Sequence, residues 1–163
     1  MAIVNTNTPI TAQRANEMIL QLVQTYPELR SEVLTTSAFG REIRTLTMGT
    51  GERQVLFTAA HHANEWITAL VLLKFAEDLA QAASVNGRIY GIEARTILKA
   101  ATIHMVPLVD PDGVDLVVGA MLPMCAKALK LDPAVMASPF ITTIVDALSL
   151  LVYFLFARAL LHI

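Results

Sequence analysis

The chain is short of most features that place a sequence quickly. It has one cysteine, Cys125, among 163 residues, so it can build no internal disulfide framework and fits a reducing compartment. Charged residues make up 16% and aromatic residues 6%. The net charge of −2, with a pI near 6.0, lacks the basic excess that holds phosphate backbones, so no nucleic-acid partner is expected. Residues 1–18 show neither a basic start nor a long apolar core, so no signal peptide is expected and a cytoplasmic location is favoured. There are no repeats and no low-complexity linker. What the chain has in excess is apolar: hydrophobic residues reach 55%, above the soluble-domain average, and the surplus lies after Ala120. The length suits one domain with a real core.

In chain order, Thr8-Pro9 is a start signal, and Thr11 can cap a helix running to about Thr25. Met18 and Leu22, with Ile19 and Val23, recur at helical spacing, and Tyr26-Pro27 stops the element. Residues 31–36 and 42–48 alternate in strand fashion around a turn at Ala38-Phe39-Gly40-Arg41, which predicts a hairpin or adjacent strands. Residues 54–60 form an apolar run expected for a central strand covered on both faces. Residues 66–83 form an amphipathic helix, with Trp66, Leu70, Leu73 and Leu72, Phe75, Leu79 on the apolar stripe and Lys74, Glu77, Asp78, Gln81 off it. Asn86-Gly87 breaks the chain. Residues 92–100 suit a short helix, 103–109 another strand, and Asp110-Pro111-Asp112-Gly113 a turn. That rhythm predicts an α/β fold, a mixed sheet with flanking helices.

The stretch around which these elements are organised is 56–68, LFTAAHHANEWIT. An apolar strand ends in His61 and His62, and Glu65 follows three residues later at the mouth of a helix. Imidazole and carboxylate in that arrangement can bind one cation, and both are ordinary zinc ligands. The spacing alone also suits a polar loop whose Glu65 sits favourably at the positive end of the helix dipole.

The surrounding residues bear on that choice. Phe39-Gly40-Arg41, then AHHANEWIT at 60–68, then Ile103-His104-Met105-Val106-Pro107 with Asp110-Pro111-Asp112-Gly113 stand in one order. In that order the chain resembles the zinc metallocarboxypeptidases of the carboxypeptidase A type, and within them the bacterial branch that cleaves γ-D-glutamyl-diamino-acid bonds of cell-wall peptides. Asn64 and the run 87–91 point to that branch. The resemblance covers roughly 31–118. It implies zinc held by His62, Glu65 and a further His, a Glu as general base, and Arg side chains holding a peptide substrate's carboxylate. Asn64 either orients substrate, as the family position implies, or is a polar residue at the helix start.

After Val118 the likeness ends. No position matches the family's Asn-Arg segment, its third zinc His, its Tyr or its catalytic Glu. His104 comes too early and reads as a packed or hydrogen-bonded side chain. His162 has no motif around it, and residues 131–163 contain no Glu. His61 and His62, as strand neighbours, would point to opposite faces. The expectation is an incomplete carboxypeptidase-type domain over 1–118, by itself inactive. Its rivals are a non-catalytic or membrane-tethered remnant and one half of a split enzyme. Residues 119–163 form an apolar tail. Its stretch 140–163 reads as a candidate membrane helix, as a buried core helix, or as sequence without a folding history, such as a reading-frame change leaves.

Overall fold

The computed structural model describes residues 2–121. Thr11 holds an extended conformation, and its hydroxyl accepts a hydrogen bond from the Arg14 N–H at 3.3 Å. That cap starts α1, Ala12–Thr25, which buries Ala12, Ala15, Met18, Ile19 and Leu22 on one stripe. Tyr26 returns to extended backbone, as a residue before proline must. The chain then forms a hairpin, β1 Arg30–Thr36 and β2 Glu42–Met48. Gly40 supplies the left-handed φ of +78° that the connecting turn requires.

Next come β3 (Arg53–Thr58), a 3₁₀ turn at Ala63–Glu65 and the long helix α2 (Trp66–Ser84). A miniature hairpin, β4 (Arg88–Ile89) and β5 (Ile92–Glu93), leads into α3, Ala94–Ala100. β6, Ala101–Val106, returns to the sheet, and α4, Pro111–Leu116, follows. The sheet runs in the order β1-β2-β6-β3. β2 lies antiparallel and β3 parallel to β6, so it is a mixed sheet of the expected class.

One face of the sheet makes the core. Leu46 and Met48 of β2 and Ile103 and Met105 of β6 cluster with Ile19 and Leu22 of α1 and Leu70 and Leu73 of α2, all buried. Each such side chain contributes about 1.5–3 kcal/mol on burial. The intervening residues of β2 and β6, Thr45, Thr47, Thr102 and His104, are polar and only half-buried, as period-two alternation requires.

Five expectations change. Among the described residues, 54–60 do not form a central strand: β3 is there the last strand of the sheet, with Leu56 65% exposed. An apolar run shows what a strand is suited to touch, not where it sits. Asp110–Gly113 is the start of α4 rather than a free turn: the Asp110 carboxylate caps the Gly113 N–H at 2.9 Å and Pro111 takes the first turn. Residues 92 and 93 pair as β5 instead of opening α3, and the strand expected at 103–109 runs over Ala101–Val106. Glu77, placed off the apolar stripe, is buried at 1% exposure, because the N-terminal segment folds over it. The apolar segment 140–163 lies outside the described residues. Among the described residues, no helix is long and apolar enough to cross a membrane.

Candidate metal centre

Main-chain hydrogen bonds carry β3 into its turn. The Ala59 N–H donates to the Val106 carbonyl at 3.0 Å, Val109 N–H to Ala59 at 3.1 Å, and Asp110 N–H to Ala60 at 2.9 Å. Ala60 is the pivot. Its φ of +50° is left-handed, which costs a residue with a Cβ about 1–2 kcal/mol, and it swings the chain away from the strand direction. His61 and His62 therefore leave the sheet after the pivot instead of alternating along it.

The turn is closed by Thr68. Its hydroxyl accepts from the Ala60 N–H at 2.8 Å and donates to the Glu65 carbonyl at 2.7 Å, while the Glu65 N–H donates to the His62 carbonyl at 3.0 Å. His62 and Glu65 thus occupy the two ends of one 3₁₀ turn, with Asn64 half-buried between them. Glu65 sits at the N-cap of α2 and His62 at the N-cap of the turn, and neither side chain makes a capping hydrogen bond.

The other described histidines are engaged. His61 Nε2 meets Thr58 Oγ1 at 2.8 Å. His104 lies between Thr47 Oγ1 at 3.2 Å and Gln54 Oε1 at 2.8 Å, a hydrogen-bonded side chain as expected for its place in a strand. His162 lies outside the described residues. A free imidazole and a free carboxylate on one turn suit zinc in kind. In number they do not complete a catalytic site: among the described residues, no three His, Cys, Asp or Glu side chains are placed to hold a metal.

A second polar cluster backs this turn. Arg41 Nη1 donates to Asp112 Oδ1 at 2.7 Å and Arg41 Nε to Asp115 Oδ2 at 2.6 Å. Asp112 also accepts from the Ser37 hydroxyl and the Phe39 N–H, and Asp115 from the Ala12 N–H. Arg41 therefore ties the β1–β2 turn to α4, and Asp115 ties α4 to the start of α1. In turn α4 abuts the metal turn, since a Cβ on Gly113 would stand 2.1 Å from Asp110 Oδ2 and 3.0 Å from Ala63 Cβ. The sequence shows Gly40-Arg41 and Asp110–Gly113 as separate motifs. Their partnership, across about seventy residues, has no local signal, and neither has the role of Thr68.

The cluster sets a pH dependence. Burial acts to raise the Asp112 carboxyl, but the Ser37 hydroxyl, the Phe39 N–H and Arg41 outweigh it and hold the group below its ordinary 3.8. Arg41 is raised, chiefly by its hydrogen bond to Asp115 and then by that to Asp112. A carboxyl with a depressed folded pKa takes up its proton first in the unfolded chain. Its stabilisation is complete above about pH 4 and disappears as the pH falls through the folded value. The Tm of the parent chain should therefore exceed that of Arg41→Gln at pH 6, and the two should converge below about pH 4. Thermal melts from pH 2 to 6 make the comparison; a constant gap across that range would contradict it.

Comparison with known proteins places the family. The zinc carboxypeptidase family model matches residues 15–121. Gamma-D-glutamyl-L-diamino acid endopeptidase 1 of Lysinibacillus sphaericus is 32% identical over 112 residues, covering 69% of this chain and 28% of that protein. The structure of thrombin activatable fibrinolysis inhibitor superposes with a TM-score of 0.62 at 16% identity, over 74% of this chain and 31% of that one. The chain thus spans less than a third of the length of these relatives. A different match overlaps the end of this one: the divalent cation transporter family model covers residues 113–156. There the magnesium transporter MgtE of Bacillus subtilis is 48% identical over 44 residues, 27% of this chain and 10% of that protein. The tail therefore has a relative of its own. With two thirds of its residues, Ala60–Thr68 among them, matched to one family, the chain belongs to the zinc carboxypeptidases.

Proposed function

We propose that this chain carries part of the metal site of a zinc metallocarboxypeptidase acting on peptides, with γ-D-glutamyl-diamino-acid peptides of the cell wall as its substrate class. The observation that carries the reading is the His62–Glu65 pair, uncapped side chains on a single turn within the family-matched segment. The substrate class rests on the similarity to the Lysinibacillus endopeptidase. Zinc, when bound, would polarise a scissile carbonyl and lower the pKa of water.

The chain's own residues do the holding. His62 and Glu65 supply the imidazole and carboxylate. Thr68 keeps the turn closed by satisfying one main-chain donor and one acceptor. Asn64, between the two donors, offers an amide that can both donate to and accept from a peptide bond. Among the described residues no third donor joins His62 and Glu65, so residues 2–121 are proposed to hydrolyse nothing by themselves. The match of residues 113–156 to a cation transporter family favours a second reading for the tail, association with a membrane.

Zinc titration of the purified full chain by calorimetry tests the first reading. Weak binding is expected, reduced at least about tenfold in both His62→Ala and Glu65→Ala. Absent binding, or binding that neither substitution changes, would remove the metal from the proposal. Chelator-sensitive peptidase activity in the pure chain would overturn its inactivity.

A further inference from the structure

The turn that carries His62 and Glu65 is supported from three sides. At its root, the Val109 and Asp110 N–H groups donate to the Ala59 and Ala60 carbonyls. On the α2 side, the Thr68 hydroxyl joins the Ala60 N–H to the Glu65 carbonyl. The third support is packing. Ala63, between His62 and Asn64, lies so close to Gly113 of α4 that a Cβ on that glycine would stand 3.0 Å from the Ala63 Cβ. Carbon atoms in ordinary contact keep about 3.5–4.0 Å. Gly113 is an ordinary helical residue, without the left-handed φ of Gly40 or Gly49. Propensity alone would favour alanine there, so what the glycine supplies is room.

Of the two partners in this contact, α4 is held the more firmly. Pro111 and Val114 are buried, and the Asp110 carboxylate caps the Gly113 N–H. Arg41 grips Asp112 and Asp115, and Asp115 also accepts from the Ala12 N–H. The opposite partner is a single 3₁₀ turn of three half-buried residues. Crowding at the contact therefore displaces Ala63, and with it the residues on either side.

We infer that Gly113 is a positioning residue for this turn. By lacking a Cβ it lets the turn settle onto α4, and the depth of that seat sets the direction of the His62 imidazole and the Glu65 carboxylate. Gly113 acts through Ala63. The inference rests on the reading of His62 and Glu65 as zinc donors. A metal site tolerates displacement of its donors by about 0.5 Å, and the 3.0 Å separation falls short of ordinary contact by a similar amount.

Zinc titration of the purified full chain, with positions 113 and 63 varied together, makes the test. Gly113→Ala should weaken zinc binding about tenfold. The gain in helix propensity offsets the disturbed Asp110 cap, so its melting temperature should stay close to that of the parent. Ala63→Gly empties the other side of the contact, and in that background Gly113→Ala should no longer weaken binding. Ala63→Val crowds the same contact from the turn's side and should weaken zinc as Gly113→Ala does, which keeps the test open should Gly113→Ala fail to fold. The metal-free chain gives a second readout. The amide resonances of His62 and Glu65 should move in Gly113→Ala, and should not move when Ala63→Gly is already present. Undiminished affinity in Gly113→Ala would overturn the inference. So would an equal loss in both backgrounds, which would assign the effect to the Asp110 cap. A parent that binds no zinc, or binds it unchanged in His62→Ala, would remove the metal reading alone. The resonances then decide, and their standing still in Gly113→Ala would overturn the seat as well.

Discussion

Replacing Gly49 with alanine is expected to destabilise the chain by at least about 3 kcal/mol. Two costs coincide at this residue. Its φ of +90° lies in the left-handed region, where a Cβ costs about 1–2 kcal/mol. The new methyl would also stand 2.2 Å from the Ala101 carbonyl oxygen and 3.0 Å from that of Leu98. Both obstacles are main chain and cannot rotate away. Relief requires moving the end of β2 off the start of β6, next to the Met48–Ile103 pair that joins the two strands. It would also disturb the Thr50 N–H bond to the Leu98 carbonyl, 2.8 Å long.

Gly40→Ala is the internal standard. Gly40 shares the left-handed conformation at φ +78°, but a methyl added there would meet nothing within 4 Å. Only the conformational cost of about 1–2 kcal/mol remains. Urea unfolding followed by circular dichroism gives both values. A Gly49→Ala cost no larger than that of Gly40→Ala would mean that the close approach to β6 does not exist in solution.

Glu77→Ala should cost about 3 kcal/mol, the scale set by removing one partner from a buried charged network. The Glu77 carboxylate is buried at the centre of α2 and serves three donors: the Ile3 N–H, the Val4 N–H at 3.4 Å and Lys74 Nζ at 3.0 Å. Truncation leaves those main-chain donors without their acceptor and unties the N-terminal segment from the helix. Asp78→Ala removes the other partner of Lys74, 2.6 Å away but with its side chain 46% exposed. Water can replace that contact, so its loss should cost less than about 1 kcal/mol. Chemical denaturation of both variants gives the ratio, and similar costs would show that the N-terminal segment does not depend on Glu77.

These positions also show what a sequence conveys and what it withholds. α1 is legible because its information is local: Thr11 as cap, the stripe of Met18, Ile19 and Leu22, and Pro27 as stop all lie within one short window. The β1–β2 hairpin is legible for the same reason, through its alternation and Gly40. Glu77 escapes such a reading. Helical periodicity assigns a face, and what covers that face arrives from Ile3 and Val4 at the far end of the chain.

Asp110-Pro111-Asp112-Gly113 is ambiguous in principle. Asp and Pro favour the first turn of a helix as readily as a free turn, and the choice belongs to Val114, which is buried and continues the helix. β3 looks interior because its composition is that of an interior strand. Of the candidate metal centre, His62, Asn64 and Glu65 are picked out by the resemblance of the motifs around them, spacing alone suiting a polar loop as well. The hydroxyl of Thr68, the left-handed Ala60 and the clamp of Arg41 on α4 are not, since each acts through a partner that spacing does not reveal.

The three main-chain bonds that join Ala59 and Ala60 to Val106, Val109 and Asp110 have a temporal consequence. A surface turn ordinarily frays on its own, faster than the elements it connects. Here both strands of the turn's root belong to the parallel β3–β6 pair, whose partners lie about fifty residues apart and come together only when the α2–α3 crossover is in place. The Ala59, Val109 and Asp110 amides are therefore released as one group, at the opening rate of the sheet. The turn bearing His62 and Glu65 accordingly keeps its shape for as long as the parallel pair survives, a lifetime set in the first place by the scaffold.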